Sequence, residues 1–365
     1  MASERAVLVT VELDPRFSRD PLSWSLDEES SELKELASSA GCRVVGEVTA
    51  RRHAPIPGTF VGSGKLEEVA QAAQQHQGQV VIFNQELSPA QQRNIEEAVG
   101  VKTIDRTQLI LDIFAQRAKS QEGKVQVELA QLRYLMPRLS GKGVMLSRLG
   151  GGIGTRGPGE QKLEVDRRRL RNRISRLSDE LDKLGRRREA TRARRKETEV
   201  LVAALVGYTN AGKTTLLNRL TGTGAVAKDQ LFTTLDPLAR RVRLPNGEAI
   251  VVTDTVGFLH HLPHHLIEAF HATLEEASDA TVLLHVLDVS HPQMDHYAKA
   301  VEAVLAKLAL AAKPLITVLN KRDQVADPER LTALEAMYAP GVAISAKTGE
   351  GIDRLLRLLE EQIHS

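Results

Sequence analysis

Over its first hundred residues the chain alternates short, continuous apolar runs with longer stretches whose apolar positions recur at helical spacing. AVLVTVEL, CRVVGEV, QVVIFN and VKTID read as strands, and DEESSELKELASSAG, KLEEVAQAAQQ and SPAQQRNIEEAVG read as helices between them. Ser88 before Pro89 marks a helix start: a hydroxyl cap, then a ring that presets the first helical φ. Strands alternating with helices predict a small α/β domain with a mostly parallel sheet over residues 1–105. The GSGK at residues 62–65 looks like a phosphate loop but lacks its spacing, and is read as a helix start.

Residues 106–199 carry no strand pattern. A helical stretch runs from TQLILDIFAQRA through QLRYLMPRL and ends near Pro137. Further on, Leu163, Leu170, Ile174, Leu177, Leu181 and Leu184 recur at spacings of seven, four, three, four and three, an a/d-type seam. Two striped helices joined by a loop predict an antiparallel hairpin. The loop, SGKGVMLSRLGGGIGTRGPG at residues 140–159, holds eight glycines, Lys142, Arg148 and Arg156, and no acid. Glycine at this density cannot pack a core. Two readings of the loop stay open: a flexible linker, or a backbone-rich tip that approaches RNA phosphates closely. Met, Leu, Ile and the spaced arginines favour the tip, with Lys142, Arg148 and Arg156 as its RNA contacts.

Composition sharpens this picture. The 365 residues carry a net charge of only +2, so affinity for a polyanion must come from local segregation. Between Gly123 and Gly159 six basic residues face one acid, Glu128, and Arg167-Arg168-Arg169 and Arg186-Arg187-Arg188 extend the cationic block. Aromatic residues make up 3% of the chain, so its cores are aliphatic. Cys42 is the lone cysteine, which excludes an intramolecular disulfide and a thiolate metal cage and fits a reducing cytoplasm. No apolar run reaches the roughly 18 residues that span a membrane, and MASERAVLVTVELDP lacks the order of a signal or transit peptide.

The region from residue 200 to 365 carries the chemistry. GYTNAGKT at 207–214 fits G-x-x-x-x-G-K-[ST], follows the apolar strand VLVAALV and opens a helix. There the backbone of Gly207, Tyr208, Thr209, Asn210, Ala211 and Gly212, with the helix N-terminus, cradles phosphates. Lys213 neutralises the β and γ charges, Thr214 ligates Mg²⁺, and Thr215 follows in the first turn. NKRD, residues 320–323, ends the strand PLITVLN: Asn320, Lys321, Arg322 and Asp323. The Asp323 carboxylate accepts from both guanine N1–H and the exocyclic amine, whereas adenine would leave a buried carboxylate unpaired at about 1–3 kcal/mol. Ser345, Ala346 and Lys347 close over the base through backbone N–H groups. RRVRL, the two-residue turn Asn246-Gly247 and AIVVTDT predict a hairpin ending at Asp254. In DTVG, Asp254, Thr255, Val256 and Gly257, the carboxylate holds Mg²⁺ through water and the Gly257 N–H senses the γ-phosphate. Upstream, Phe232, Thr233 and Thr234 precede Leu235-Asp236-Pro237, and one of the two threonines, assigned here as Thr234, is expected to complete the Mg²⁺ shell.

The order GYTNAGKT, FTTLDP, DTVGF, NKRD and SAK resembles translation-factor-class GTPases. LSPAQQRN at 87–94, IDRTQLILDIFAQRA at 104–118, QLRYLMPRL at 131–139 and GGGIGTRGPGE at 150–160 are similar to signatures of the HflX family of ribosome-associated GTPases. The resemblance, from about residue 55 onward, implies three parts: a small α/β domain (1–105), a two-helix hairpin with a glycine-rich tip (106–199) and a Ras-like G domain (200–365). It also implies GTP and GDP as ligands, binding to the large ribosomal subunit and its rRNA, and GTP-dependent separation of stalled ribosomes. The chain is read as a monomer without membrane contact. Gln161 stands where the family usually has Thr, and the chain is read as stopping short of the C-terminal extension that some members carry.

Phe258 follows D-x-x-G where many GTPases place a water-orienting glutamine, and it has no donor or acceptor for that task. Intrinsic hydrolysis is therefore expected to be slow and completed by the ribosome, with no catalytic side chain named. Asn210, with the family resemblance, points to K⁺ as a supplementary charge. Competing readings are an RNA-remodelling protein with ATP use in the N-terminal region, and a nucleotide-gated scaffold. No second phosphate loop supports the first of these. His260, His261, His264 and His265 flank Pro263 in pairs that point different ways, which favours a switch segment over a zinc site.

Overall fold

The computed structural model describes residues 3–17, 24–139, 158–197, 200–222, 231–232, 238–259 and 277–364. The chain divides into two compact units, one of residues 1–116 with 124–183, the other of 117–123 with 184–365.

In the first unit, strands β1 (Arg5–Leu13), β2 (Arg43–Arg52), β3 (Val80–Phe83) and β4 (Lys102–Asp105) form a wholly parallel sheet in the order β2-β1-β3-β4. Helices α1 (Leu26–Ser39), α2 (Ser63–Gln75) and α3 (Pro89–Val99) connect them. Ser88 caps α3 in a reciprocal box with Gln91, and Pro89 opens the helix, as the sequence predicts. Gly62 begins α2, so GSGK is a helix start. Val7, Val9, Val11, Val81 and Phe83 pack beneath Val69, Ile95 and Val99.

The single helical stretch expected after residue 105 is two helices, α4 (Arg106–Arg117) and α5 (Gln121–Arg138). Ser120 accepts from the Gly123 N–H and so caps α5, a local alternative to carrying the helix through. Pro137 lies inside the last turn of α5 rather than beyond it. Leu109, Ile110, Leu111, Ile113 and Phe114 of α4 are buried. Asp105, fully buried at the end of β4, accepts from the Tyr134 hydroxyl at 2.8 Å and pairs with Arg138 at 3.2 Å. The Arg138 guanidinium also lies over the Tyr134 ring, and burial pushes the Tyr134 phenol well up. Helix α6 (Pro158–Glu197) packs Ile174, Leu177 and Leu181 against Val125, Leu129 and Leu132 of α5. The pairs Arg173–Glu128 and Arg188–Glu122 run in opposite chain directions, so α5 and α6 are antiparallel. Leu163 has no described side chain, and Lys142, Arg148 and Arg156 lie outside the described residues.

The second unit holds a six-stranded sheet, β10-β9-β8-β5-β7-β6. Its strands are β5 (Val202–Gly207), β6 (Leu238–Arg243), β7 (Ala249–Asp254), β8 (Val282–Asp288), β9 (Leu315–Asn320) and β10 (Gly341–Ala343). Only β6 and β7 pair antiparallel. Helices α7 (Lys213–Thr221), α8 (Met294–Lys307), α9 (Pro328–Met337) and α10 (Ile352–His364) flank it. The turn between β6 and β7 differs from expectation: Leu244 N–H donates to Glu248 O, leaving a three-residue loop, Pro245 to Gly247. Only Gly247 takes positive φ, whereas a two-residue Asn-Gly turn needs it at both centres. Among the described residues no helix is long and apolar enough to cross a membrane.

Candidate functional site

Strand β5 is buried along its whole length and hands the chain to α7 through Tyr208–Gly212. This loop turns sharply because Asn210 and Gly212 both adopt left-handed φ, 64° and 96°. Gly212 also lies so close to Asn320 that a methyl group there would strike its side chain. The Lys213 ammonium folds back and donates to Gly207 O at 3.0 Å and Tyr208 O at 2.8 Å. Burial lowers its pKa to about 8, and Asp254 opposes that shift.

Asp254 ends β7 beside β5, and the parallel register opposes it to Leu205. Its carboxylate accepts from the Thr214 hydroxyl at 2.6 Å. The Thr255 hydroxyl donates to Leu205 O at 2.7 Å, and Val256 is buried behind it. A Cβ on Gly257 would stand 2.8 Å from Thr209 Cγ2 and 3.1 Å from Lys213 Nζ, so only glycine brings the backbone against the loop here. The next residue, Phe258, is buried and tied to the loop by backbone alone: its N–H donates to Gly207 O at 3.1 Å, and its carbonyl accepts from Thr209 N–H at 2.9 Å. Phe232 is buried with φ 56°, and Thr215 sits in the first turn of α7.

The β9 end joins the same site. Asn320 Nδ2 donates to Ala211 O at 2.8 Å, while its Oδ1 accepts from Ala346 N–H at 3.0 Å. One side chain therefore links the GYTNAGKT loop to the SAK loop. Ser345 and Ala346 are buried, and Lys347 is exposed. Arg322 pairs with Glu350 at 2.9 Å. Asp323 lies in the 3₁₀ turn Arg322–Gln324 just beyond the end of β9, with its carboxylate exposed.

The motifs did not disclose two further contacts. Lys321 pairs with Asp288, at the end of β8, at 2.6 Å. Tyr208 stacks on Tyr297 of α8, with centroids 3.9 Å apart and planes within 6°. Both partners come from elements distant in sequence, and LDVSHP carried no signal that would have singled them out. Thr233, Thr234 and the four histidines lie outside the described residues. Among the described residues no group of three or more metal-binding side chains occurs. Thr214 and Asp254 nevertheless present adjacent hard oxygen donors, a set that fits Mg²⁺.

Three family models match the chain: one described as GTP-binding GTPase N-terminal over residues 27–115, GTP-binding GTPase Middle Region over 117–195, and 50S ribosome-binding GTPase over 202–321. GTPase HflX of Caldanaerobacter subterraneus is 50% identical over 361 residues, covering 99% of this chain and 81% of the relative. GTPase HflX of Escherichia coli K12 is 46% identical over 363 residues, with 99% and 83% coverage. Among solved structures, SsGBP in complex with GDP covers 99% of this chain and 98% of its own, at 24% identity and a TM-score of 0.52, which supports the fold. With curated relatives 46–50% identical over 99% of this chain, and with the three family models in this order, the chain belongs to the HflX family of GTPases, and its reaction is the hydrolysis of GTP.

Proposed function

We propose that this GTPase binds the large ribosomal subunit and, loaded with GTP, separates stalled ribosomes into subunits, with hydrolysis completed on the ribosome. The observation that carries the reading is Phe258. Its side chain is buried and its backbone is committed to Gly207 and Thr209, so this position supplies no group to orient an attacking water. A partner must complete the reaction geometry. The family model described as 50S ribosome-binding GTPase supports a ribosomal partner, and the cationic middle segment supports rRNA contact through Lys142, Arg148 and Arg156.

In this reading, residues 207–214 wrap the phosphates with backbone N–H groups, and Lys213 leaves its carbonyl partners to meet the β and γ charges. Thr214 and Asp254, the latter through water, would hold Mg²⁺, which neutralises charge developing on the phosphate oxygens. Thr234 is assigned to complete that shell. Gly257 lies against Thr209 and Lys213, placed to report the γ-phosphate through its N–H. Asn320 holds the two loops, Lys321 and Arg322 shape the base edge, Asp323 reads guanine, and the Ser345–Lys347 backbone closes over it. Asn210, with its left-handed backbone in the loop, is the assigned K⁺ contact. The division into 1–105, 106–199 and 200–365 belongs to the same proposal, supported by three family models in that order.

The test is sedimentation of ribosomes with this protein and GTP, a non-hydrolysable GTP analogue, ATP or GDP. Splitting with both GTP forms and with neither ATP nor GDP is expected. Intact ribosomes under every GTP condition would sink the proposal.

A further inference from the structure

We infer that Arg219 is a positioning residue for the base-binding loop and thereby slows nucleotide release. The inference rests on the reading of the Ser345–Lys347 backbone as closing over guanine, with the Lys347 N–H as its donor.

Arg219 lies on α7, six residues after Lys213, with an exposed side chain. Its Nε donates to Ala346 O at 3.1 Å, and its Nη2 donates to Lys347 O. A Cβ built on Gly349 would meet Cδ, Cζ and Nε of Arg219 at 3.7 Å, so the guanidinium also rests along the far side of the loop. Among the described residues no carboxylate pairs with Arg219, which leaves its charge directed at the two carbonyls.

A rigid guanidinium fork across two consecutive carbonyls fixes the planes of two successive peptides. The first of these peptides carries the Lys347 N–H on its opposite edge. Charge-assisted donation to the Ala346 carbonyl polarises that peptide and strengthens its N–H as a donor. Asn320 holds the loop from the other side through the Ala346 N–H. Local bonds, Ser345 N–H to Glu350 O and Gly349 N–H to Ser345 O, keep the turn closed but do not orient it against α7. Arg219 therefore joins the base loop to the helix whose N-terminus forms the phosphate end. Lysine could not reproduce this, since its ammonium has no planar pair of donors.

Guanine offers a 6-oxygen to backbone N–H donors, separate from the N1–H and amine that Asp323 reads. The experiment compares wild type with Arg219→Ala. It follows release of fluorescently labelled GDP after a chase, and the affinity for the diphosphate of 2-aminopurine riboside, which keeps the exocyclic amine but has neither the 6-oxygen nor the N1–H. Wild type and variant therefore share the same weakened Asp323 contact to the analogue, and differ only if Arg219 acts elsewhere than on the 6-oxygen. GDP release should quicken about tenfold, the equivalent of one charge-assisted hydrogen bond. Affinity for the analogue should stay at the wild-type value. Arg219→Gln, with one donor retained, should fall between, and it replaces the Ala variant if that loses cooperative unfolding. Release of GDP at the wild-type rate, or equal weakening of both nucleotides, overturns the inference. A wild-type protein that binds no GDP would instead refute the site reading beneath it.

Discussion

The Thr214 hydroxyl donates to the Asp254 carboxylate across 2.6 Å, joining the first turn of α7 to the end of β7. Neither residue is near the other in sequence; the parallel pairing of β5 with β7 brings them together. Thr214→Ala removes one hard oxygen donor and should lower ribosome-stimulated GTP hydrolysis roughly a hundredfold, as loss of a charge-stabilising group at a reacting phosphate does. The rate should also lose its saturable dependence on Mg²⁺ in the millimolar range. An unchanged Mg²⁺ titration would show that this pair does not hold the ion.

Lys213 makes nucleotide affinity depend on pH. Its pKa, about 8, is depressed because burial disfavours the ammonium. Phosphate favours the ammonium, so binding raises that pKa and takes up a proton whenever the free protein is above pH 8. GDP affinity should therefore be flat below about pH 8 and weaken above it, by at most about tenfold per pH unit. Titration calorimetry in buffers of different ionisation enthalpy checks the proton uptake. Affinity that strengthens above pH 8 would contradict the sign.

Asp323→Asn should exchange base preference. An amide at this position offers one acceptor and one donor, which matches xanthine N1–H and its 2-oxygen and clashes with the guanine amine. Guanine nucleotides should lose about a hundredfold or more in affinity while xanthine nucleotides gain. Because Asp323 is exposed, the melting temperature of the free protein should hold. Competition binding with GDP and XDP reads the outcome, and retained GDP preference would remove Asp323 from base recognition.

His285 gives an acid limit to stability. It is buried in β8, and burial, with Lys213 adding to it, lowers its pKa from 6.5 to about 4. The unfolded imidazole takes up a proton below pH 6.5 and the folded one resists until about pH 4, so acid favours the unfolded chain. Stability is whole above pH 6.5 and should fall by about 3 kcal/mol on the way to pH 4 from this group. Denaturant melts of wild type and His285→Leu across that range should diverge, the variant showing the shallower slope. Parallel pH profiles would remove His285 as the cause.

Much of this molecule was legible because its signals are local. A phosphate loop needs glycines and a lysine at fixed offsets, since backbone N–H groups must converge within one turn, and that constraint is written in eight consecutive residues. Ser88-Pro89 likewise announced its own helix. The break at Ala118–Ser120 was missed because apolar positions continue through it while a serine cap competes with the helix. The Asn-Gly pair promised a two-residue turn, but the preceding proline and a single positive φ made a longer loop.

Sequence by itself determined where the phosphate-loop motif lies, which strand ends carry the residues assigned to base and metal, and that the residue after D-x-x-G, Phe258, has no polar side chain. Tertiary structure alone decided that Thr214 meets Asp254, that Asn320 and Arg219 fasten the SAK loop from opposite sides, and that Lys321 and Tyr208 find Asp288 and Tyr297. The physical reason is range. Backbone turns and capping are settled over a few residues, whereas these pairings require crossovers that order the strands β9-β8-β5-β7 before any two side chains can meet.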